Sequence, residues 1–349
     1  MQTLTYSSMA CARRCLRQYY YSHELRLRAT RNAAALRIGS AIHDGLALLA
    51  EGVVTSAAIN AMIRGYDESP DSDPYEQVIV ATLIAGYAWR YGNDDLEYVE
   101  IEEPWAMPLV NPDTGRASRT WGLAGKRDGI ATNGAGRTFV VEHKTCSEDL
   151  GPDSDYWLRL RNDQQISLYV LAALHQGLAV EGVIYDVIRK PTIRPRQIPL
   201  LDDDGFKVVF DDDTAERILL KSGKPRQSAG EGMTLQARVE TPEEYGARLL
   251  ADIEERPDFY YARREVPRLD DDLETCALEC WQQAKMLADC QRHGRWFRSV
   301  GRNTCSFCDY AAICLQSLTV DPDSPPAGFE IIVDPHPELS QEDNADAES

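Results

Sequence analysis

Two strand-forming runs joined by a tight turn hold three ionisable residues where pairing would bring them together. Trp121 to Ala131 and Thr138-Phe-Val-Val-Glu142 read as β-strands, and Asn133-Gly-Ala-Gly136 between them reads as a hairpin turn. Gly125-Lys-Arg-Asp128 puts Asp128 at the end of the first strand, and Glu142-His-Lys144 puts Glu142 and Lys144 two apart on the second. A period of two sends both of those side chains to one face, and the hairpin brings Asp128 alongside. Two carboxylates converging with a lysine suit a hard divalent cation such as Mg²⁺ or Mn²⁺. Such a cation would lower the pKa of Lys144 by like-charge repulsion. The same spacing also fits a charged strand edge with a surface ion pair.

The surrounding pattern is α/β. A helix is predicted over Tyr6 to Arg28, capped near Ser7 or Ser8, a second over Asn32 to Glu51, and a third over Tyr75 to Tyr91. Leu96 to Pro108 reads as strand, with the turn cluster Asn111-Pro-Asp-Thr-Gly115 after it. Beyond the hairpin come a helix over Leu158 to Gln176, a strand over Val180 to Arg189, a β excursion over Arg194 to Asp213, and helices over Thr241 to Glu255 and Asp270 to Cys290. This order predicts a mixed sheet flanked by helices. Four parts are expected: an N-terminal helical part (1–95), a core (96–200), a C-terminal part of the same domain (201–319) and an acidic tail without fixed structure (320–349).

Nine cysteines, an odd count with no signal-peptide pattern at the start, argue against a disulfide framework. Cys305-Ser-Phe-Cys308 followed by Cys314 gives a C-x2-C-x5-C spacing suited to three metal-binding thiolates. A fourth ligand is then required. Cys146, Cys276, Cys280 and Cys290 read as small buried apolar residues.

With these residues in place, the chain resembles the PD-(D/E)XK nuclease superfamily, in particular its RecB-like branch. That branch includes CRISPR-associated exonucleases with a four-cysteine iron–sulfur cluster. Gly39-Ser-Ala-Ile-His43 resembles the branch's upstream histidine motif, Gln165-Ile-Ser-Leu-Tyr169 its Q-x-x-x-Y helix motif, and Val183-Ile-Tyr-Asp-Val-Ile-Arg-Lys the strand that follows. Gln165 and Tyr169, four apart, share a helix face; Gln164 is the competing amide. The family's Pro-Asp is replaced here by Arg127-Asp128.

The resemblance implies a restriction-endonuclease-like core and a metal-dependent DNA exonuclease acting on single strands or duplex ends. It implies metal ligands at His43, Asp128, Glu142 and the carbonyl of His143, with Asp128, Glu142, Lys144, Gln165 and Tyr169 as the catalytic set. It also implies a [4Fe–4S] cluster held by Cys15, Cys305, Cys308 and Cys314, joining the N- and C-terminal segments. Cys15 lies in Cys15-Leu-Arg-Gln-Tyr, with Leu16 in place of the family's proline; Cys11 is the rival ligand and Zn²⁺ the rival metal.

The net charge of −19 sits awkwardly with a DNA partner, whose phosphates are bound through Lys and Arg. Its distribution eases the difficulty. Residues 320–349 hold nine carboxylates and no Lys or Arg, whereas Arg13, Arg14, Arg17, Arg26, Arg28, Arg31 and Arg37 face a single acid, Glu24, over 13–37. That run is either a local basic patch or an ordinary solvated face. No phosphate-binding loop of the G-x-x-x-x-G-K-[ST] type occurs, so an ATP motor is not expected. No run is long enough to span a bilayer, and a cytoplasmic location is expected. Two alternatives remain: a catalytically silent DNA-binding or partner module of a recombination or repair assembly, and a zinc-stapled protein unrelated to nucleases.

Overall fold

The computed structural model describes residues 1–30, 34–67, 72–321, 324–336 and 339. Arg31 and the last ten positions of the expected acidic tail lie outside them. The chain opens with β1 (Gln2–Leu4) and α1 (Tyr6–Arg14), whose start is fixed by a capping box between Thr5 and Ser8. The single helix expected over Tyr6 to Arg28 does not form. Cys15 is extended (φ −165°, ψ 117°) and cuts the run; α2 (Leu16–Tyr19), a π-turn over Tyr20–Glu24 and the strand β2 (Leu27–Ala29) follow. The break turns Cys15 Sγ toward the backbone N–H of Ser299, a partner sequence periodicity cannot anticipate.

Three helices come next: α3 (Ala34–Ala50), α4 (Thr55–Asp67), which the sequence pattern did not announce, and α5 (Pro74–Tyr91). Then come β3 (Glu97–Ile101), β4 (Pro104–Val110), β5 (Ala117–Lys126), β6 (Gly129–Thr132) and β7 (Thr138–Cys146). The expected helix over 158–176 is two helices, α6 (Asp155–Leu160) and α7 (Gln164–His175). Asp163 separates them because it caps α7, accepting from Gln165 N at 2.9 Å. The strand β8 (Val183–Arg189) leads into an excursion of short strands, β9 (Gln197–Pro199), β10 (Val209–Asp211), β11 (Met233–Leu235) and β12 (Ala237–Val239). The chain ends through α8 (Pro242–Glu255), α9 (Pro257–Tyr260), β13 (Tyr261–Val266), α10 (Asp270–His293), α11 (Arg302–Cys305), α12 (Ala311–Leu315) and β14 (Phe329–Ile331).

The central sheet has the order β13-β8-β7-β6-β3, with β7 and β8 parallel and the other neighbours antiparallel. A parallel pair needs a crossover, and α6 and α7 supply it. β8 is buried along almost its whole length, as expected of a strand covered on both faces. One covering layer holds α1, α7 and α10, whose apolar side chains pack with Val140, Val183, Tyr185 and Val187. The opposite layer holds α3, α5 and α8, packed around Ile84, Leu249, Tyr260 and Tyr261. There α5 approaches closely enough that a Cβ on Gly86 would meet Tyr261 Oη at about 2.4 Å, so only glycine fits. A second sheet, β1-β5-β4, meets the first at the corner between β5 and β6. The mixed α/β class expected from the sequence is the one observed.

The acidic end is not structureless throughout. β14 pairs antiparallel with β2, because Phe329 and Ile331 have apolar partners in Tyr310 and Leu27. This corrects the expectation for residues 329–331.

Candidate active site

Asp128 occupies the corner where the chain leaves β5 for β6, and four elements converge there. The pairing Gly129↔Val141 sets it beside His143, whose backbone N–H donates to Asp128 Oδ2 at 2.7 Å. From the β3–β4 turn, the Glu102 N–H donates to Asp128 O at 3.1 Å. From α3, His43 Nδ1 lies 3.4 Å from Asp128 Oδ1. Gly39, one turn earlier on α3, faces Thr145 of β7; an added Cβ would sit 3.4 Å from its hydroxyl.

His43, Glu102 and Asp128 each offer a ligand atom within 4.8 Å of the other two. Among the described residues this is the one such group of His, Cys, Asp and Glu side chains that could hold a metal ion. Glu102 was not found from sequence. It lies in no motif, and its approach depends on a left-handed backbone (φ 52°) in the turn before β4. Its carboxyl sits above the usual range, first because it is buried and then because Asp128 repels it, although Lys126 pairs with it at 2.7 Å.

Glu142 and Lys144 share the face of β7 directed toward α7, as the period of two requires. Lys144 Nζ donates to Glu142 Oε1 and to Gln165 Oε1, each at 2.5 Å. Gln165 Nε2 donates to Tyr169 Oη at 3.0 Å, and the Tyr169 ring meets Trp105 edge-on at 5.9 Å. So Gln165, and not Gln164, reaches the lysine; Gln164 turns away to Arg13, Gln283 and Glu279. Glu142 Oε2 is buried without a hydrogen-bond partner. An orphaned carboxylate oxygen beside a His-Glu-Asp cluster fits a cation, which would satisfy it.

The electrostatics follow from burial. Glu142, 2% exposed, is pushed up to about 7, first by desolvation and also by Asp128, against the opposing pull of Lys144. Asp128 is held below the ordinary carboxylate value. Burial opposes this, and the hydrogen bond and charge of His43 prevail. His43 would be lowered by burial, but its pairing with Asp128 raises it to about 9. Lys144, expected to be lowered by a cation, is raised by its protein neighbours: burial opposes its charge and the adjacent Glu142 outweighs burial.

His143 sends its ring to the other face of the sheet. There Nδ1 lies 3.4 Å from Asp186, which Arg263 binds at 2.9 Å and Tyr87 also contacts.

The cysteines gather elsewhere. Cys15, Cys305, Cys308 and Cys314 line one small cavity under α2, α11 and α12. Ser299 N donates to Cys15 Sγ and Arg298 Nε to Cys314 Sγ, both at 3.4 Å. Cys11 is outside that cavity, buried in the core with its thiol 3.6 Å from Ser22. Cys276, Cys280 and Cys290 are buried on α10, and Cys146 is half-buried. Of the arginine run, Arg26 binds the carbonyl of Val333 and Arg37 pairs with Glu76.

Among solved structures, a chain described as "Crystal structure of SSO0001" is similar at 14% identity and a TM-score of 0.35, covering 91% of this chain and 87% of its own. No curated protein matches the sequence. Residues 3–315 match the family profile of the PD-(D/E)XK nuclease superfamily, and the chain belongs to that superfamily.

Proposed function

We propose that the chain is a Mg²⁺- or Mn²⁺-dependent DNA exonuclease, RecB-like and similar to the CRISPR-associated exonucleases, acting on single strands or duplex ends. The observation that carries this reading is the unpartnered Oε2 of Glu142, buried beside the His43-Glu102-Asp128 cluster and within reach of Lys144. His43, Asp128, Glu142 and the carbonyl of His143 would hold the cation, joined by Glu102. When bound, the cation supplies Lewis acidity toward the scissile phosphate and makes a water molecule easier to deprotonate.

The chain's own groups do the rest. Lys144 Nζ, fixed between Glu142 and Gln165, orients the attacking water and neutralises charge building on the phosphate. Gln165 holds the ammonium in place, and Tyr169 holds Gln165. Purified protein with Mn²⁺ and end-labelled DNA tests the reading. Wild type degrades the label and Lys144→Ala does not; equal activity in the two sinks the assignment.

Cys15, Cys305, Cys308 and Cys314 hold a [4Fe–4S] cluster in this reading, tying residue 15 to the 305–314 segment much as a crosslink closes a loop. Two N–H groups already point at their sulfurs, as thiolates favour.

A further inference from the structure

Arg127 stands next to Asp128 in the chain and takes no part in the cluster. It is 1% exposed, and no other arginine among the described residues is buried. Its guanidinium reaches two different elements. One nitrogen, Nη2, donates to Glu100 Oε2 on β3, and Nη1 donates to the side-chain Oε1 of Gln176 at 2.6 Å. Its backbone N–H donates to Glu103 O at 3.2 Å. Nε is buried without a hydrogen-bond partner. A buried ion pair gains little stability over a well-packed apolar pair, so stability alone does not account for an arginine here.

The two partners belong to the two halves of the candidate site. Glu100 lies two residues before Glu102, which stands beside Asp128 in a left-handed conformation (φ 52°) that non-glycine residues seldom adopt. Such a turn persists only where its surroundings hold it. Lys126 pairs with the Glu102 carboxylate at 2.7 Å, and the Glu102 N–H donates to Asp128 O at 3.1 Å. The Arg127–Glu100 pair clamps the strand that leads into the turn. On the other side, Gln176 ends α7, the helix whose first turn carries Gln165 to Lys144. A helix of this length is stiff, so a bond at its last residue fixes the direction of its axis and the place of its first turn.

We propose that Arg127 is a positioning residue that sets both halves of the site from one buried guanidinium. Through Glu100 it keeps the Glu102 oxygen beside Asp128, where a cation can use both. Through Gln176 it aims α7 so that Gln165 meets Lys144. The kinetic half of this assignment rests on the nuclease reading; the metal-binding half does not.

The two arms separate at their outer partners, both of which touch solvent, so the buried arginine need not be removed. Calorimetric titration of Mn²⁺ reads the first arm, and kcat on labelled DNA at saturating Mn²⁺ reads the second. Glu100→Gln should weaken Mn²⁺ binding about tenfold. Gln176→Ala should bind Mn²⁺ as wild type does and lower kcat about tenfold with KM unchanged. Arg127→Lys keeps a charge for Glu100 but lacks the fork that spans both partners. It should hold Mn²⁺ affinity close to wild type and lose kcat as Gln176→Ala does. Arg127→Met should show both losses, and adding Glu100→Gln to it should weaken Mn²⁺ binding no further, because the two act in one chain of contacts. An arginine that only stabilises the fold would lower the melting temperature and leave affinity and kcat untouched well below it. Wild-type Mn²⁺ affinity in Glu100→Gln, or wild-type kcat in Gln176→Ala, overturns the two-armed role while leaving the nuclease reading standing. A wild type that binds Mn²⁺ and never cleaves sinks the nuclease reading and the kinetic arm with it, and the Glu100→Gln titration then decides the metal arm by itself.

Discussion

His143 donates its backbone N–H to Asp128 Oδ2 at 2.7 Å, and that bond ties the corner between two sheets to the strand carrying Glu142 and Lys144. Asp128 therefore does two things: its charge faces the cluster and its oxygen fixes the corner. The two separate by substitution. Asp128→Asn keeps an acceptor for His143 but gives up the charge that pairs with His43; in EDTA it should melt between wild type and Asp128→Ala, with weakened divalent-metal binding. Asp128→Ala should lose both, at about 1–3 kcal/mol for the stranded amide. Thermal melts with and without Mn²⁺ measure this; identical melting of the two variants in EDTA refutes the tether.

Glu102 sets an oxygen, marked by no motif, within 4.8 Å of ligand atoms on His43 and Asp128. Glu102→Gln keeps its shape and removes its charge. Mn²⁺ affinity should fall at least about tenfold, and the loss should be partly overcome by raising the metal concentration. Calorimetric titration of the metal-free protein measures it. Unchanged affinity would remove Glu102 from the site.

Gln165 touches Lys144 directly, whereas Tyr169 acts through Gln165. Gln165→Ala should therefore lower kcat about tenfold to a hundredfold, with Tyr169→Phe a smaller loss in the same direction. If Tyr169→Phe proves the more damaging, the order of action is reversed and the tyrosine touches substrate itself.

Cys15 and Cys11 stand one helical turn apart and face different surroundings. On the proposed cluster assignment, Cys15→Ser should yield a protein with less iron and weaker absorbance near about 400 nm. Cys11→Ser, a substitution in a packed core, should keep the colour and lose only some stability. The opposite pattern would exchange their roles.

Glu240, 2% exposed, accepts from Arg248 Nε at 2.8 Å and from the backbone N–H of Arg196 at 3.1 Å. The Arg248 hydrogen bond, first among the causes, holds its carboxyl below the ordinary 4.5. A carboxyl depressed on folding contributes stability that is fully present above its unfolded value and fades as pH falls through the folded one. Wild type should thus lose stability below about pH 4.5 more steeply than Glu240→Gln. At pH 7 the variant should be weaker by about 1–2 kcal/mol, because Arg248 keeps access to water. Urea titrations at several pH values check both; parallel curves would exclude the linkage.

Periodicity and spacing carried the mixed α/β class, the hairpin that follows Asp128, and the common face of Glu142 and Lys144, whereas the one strand expected over Trp121 to Ala131 is two, β5 and β6, in different sheets. The first three are local properties: a hairpin turn and a period of two fix them within some twenty residues. The approach of Gln165 to Lys144 was also within reach, because one short crossover joins their elements. Tertiary structure decided the rest. Glu102 joins Asp128 only because two sheets meet at one corner, and Gln165 prevails over Gln164 because the Asp163 cap sets the rotation of α7. Cys15 parts from Cys11 where the chain breaks its helix to face Ser299, nearly three hundred positions away. A sequence specifies which groups are available and their local direction, whereas contacts between distant segments depend on how whole layers pack, and no short-range pattern encodes that.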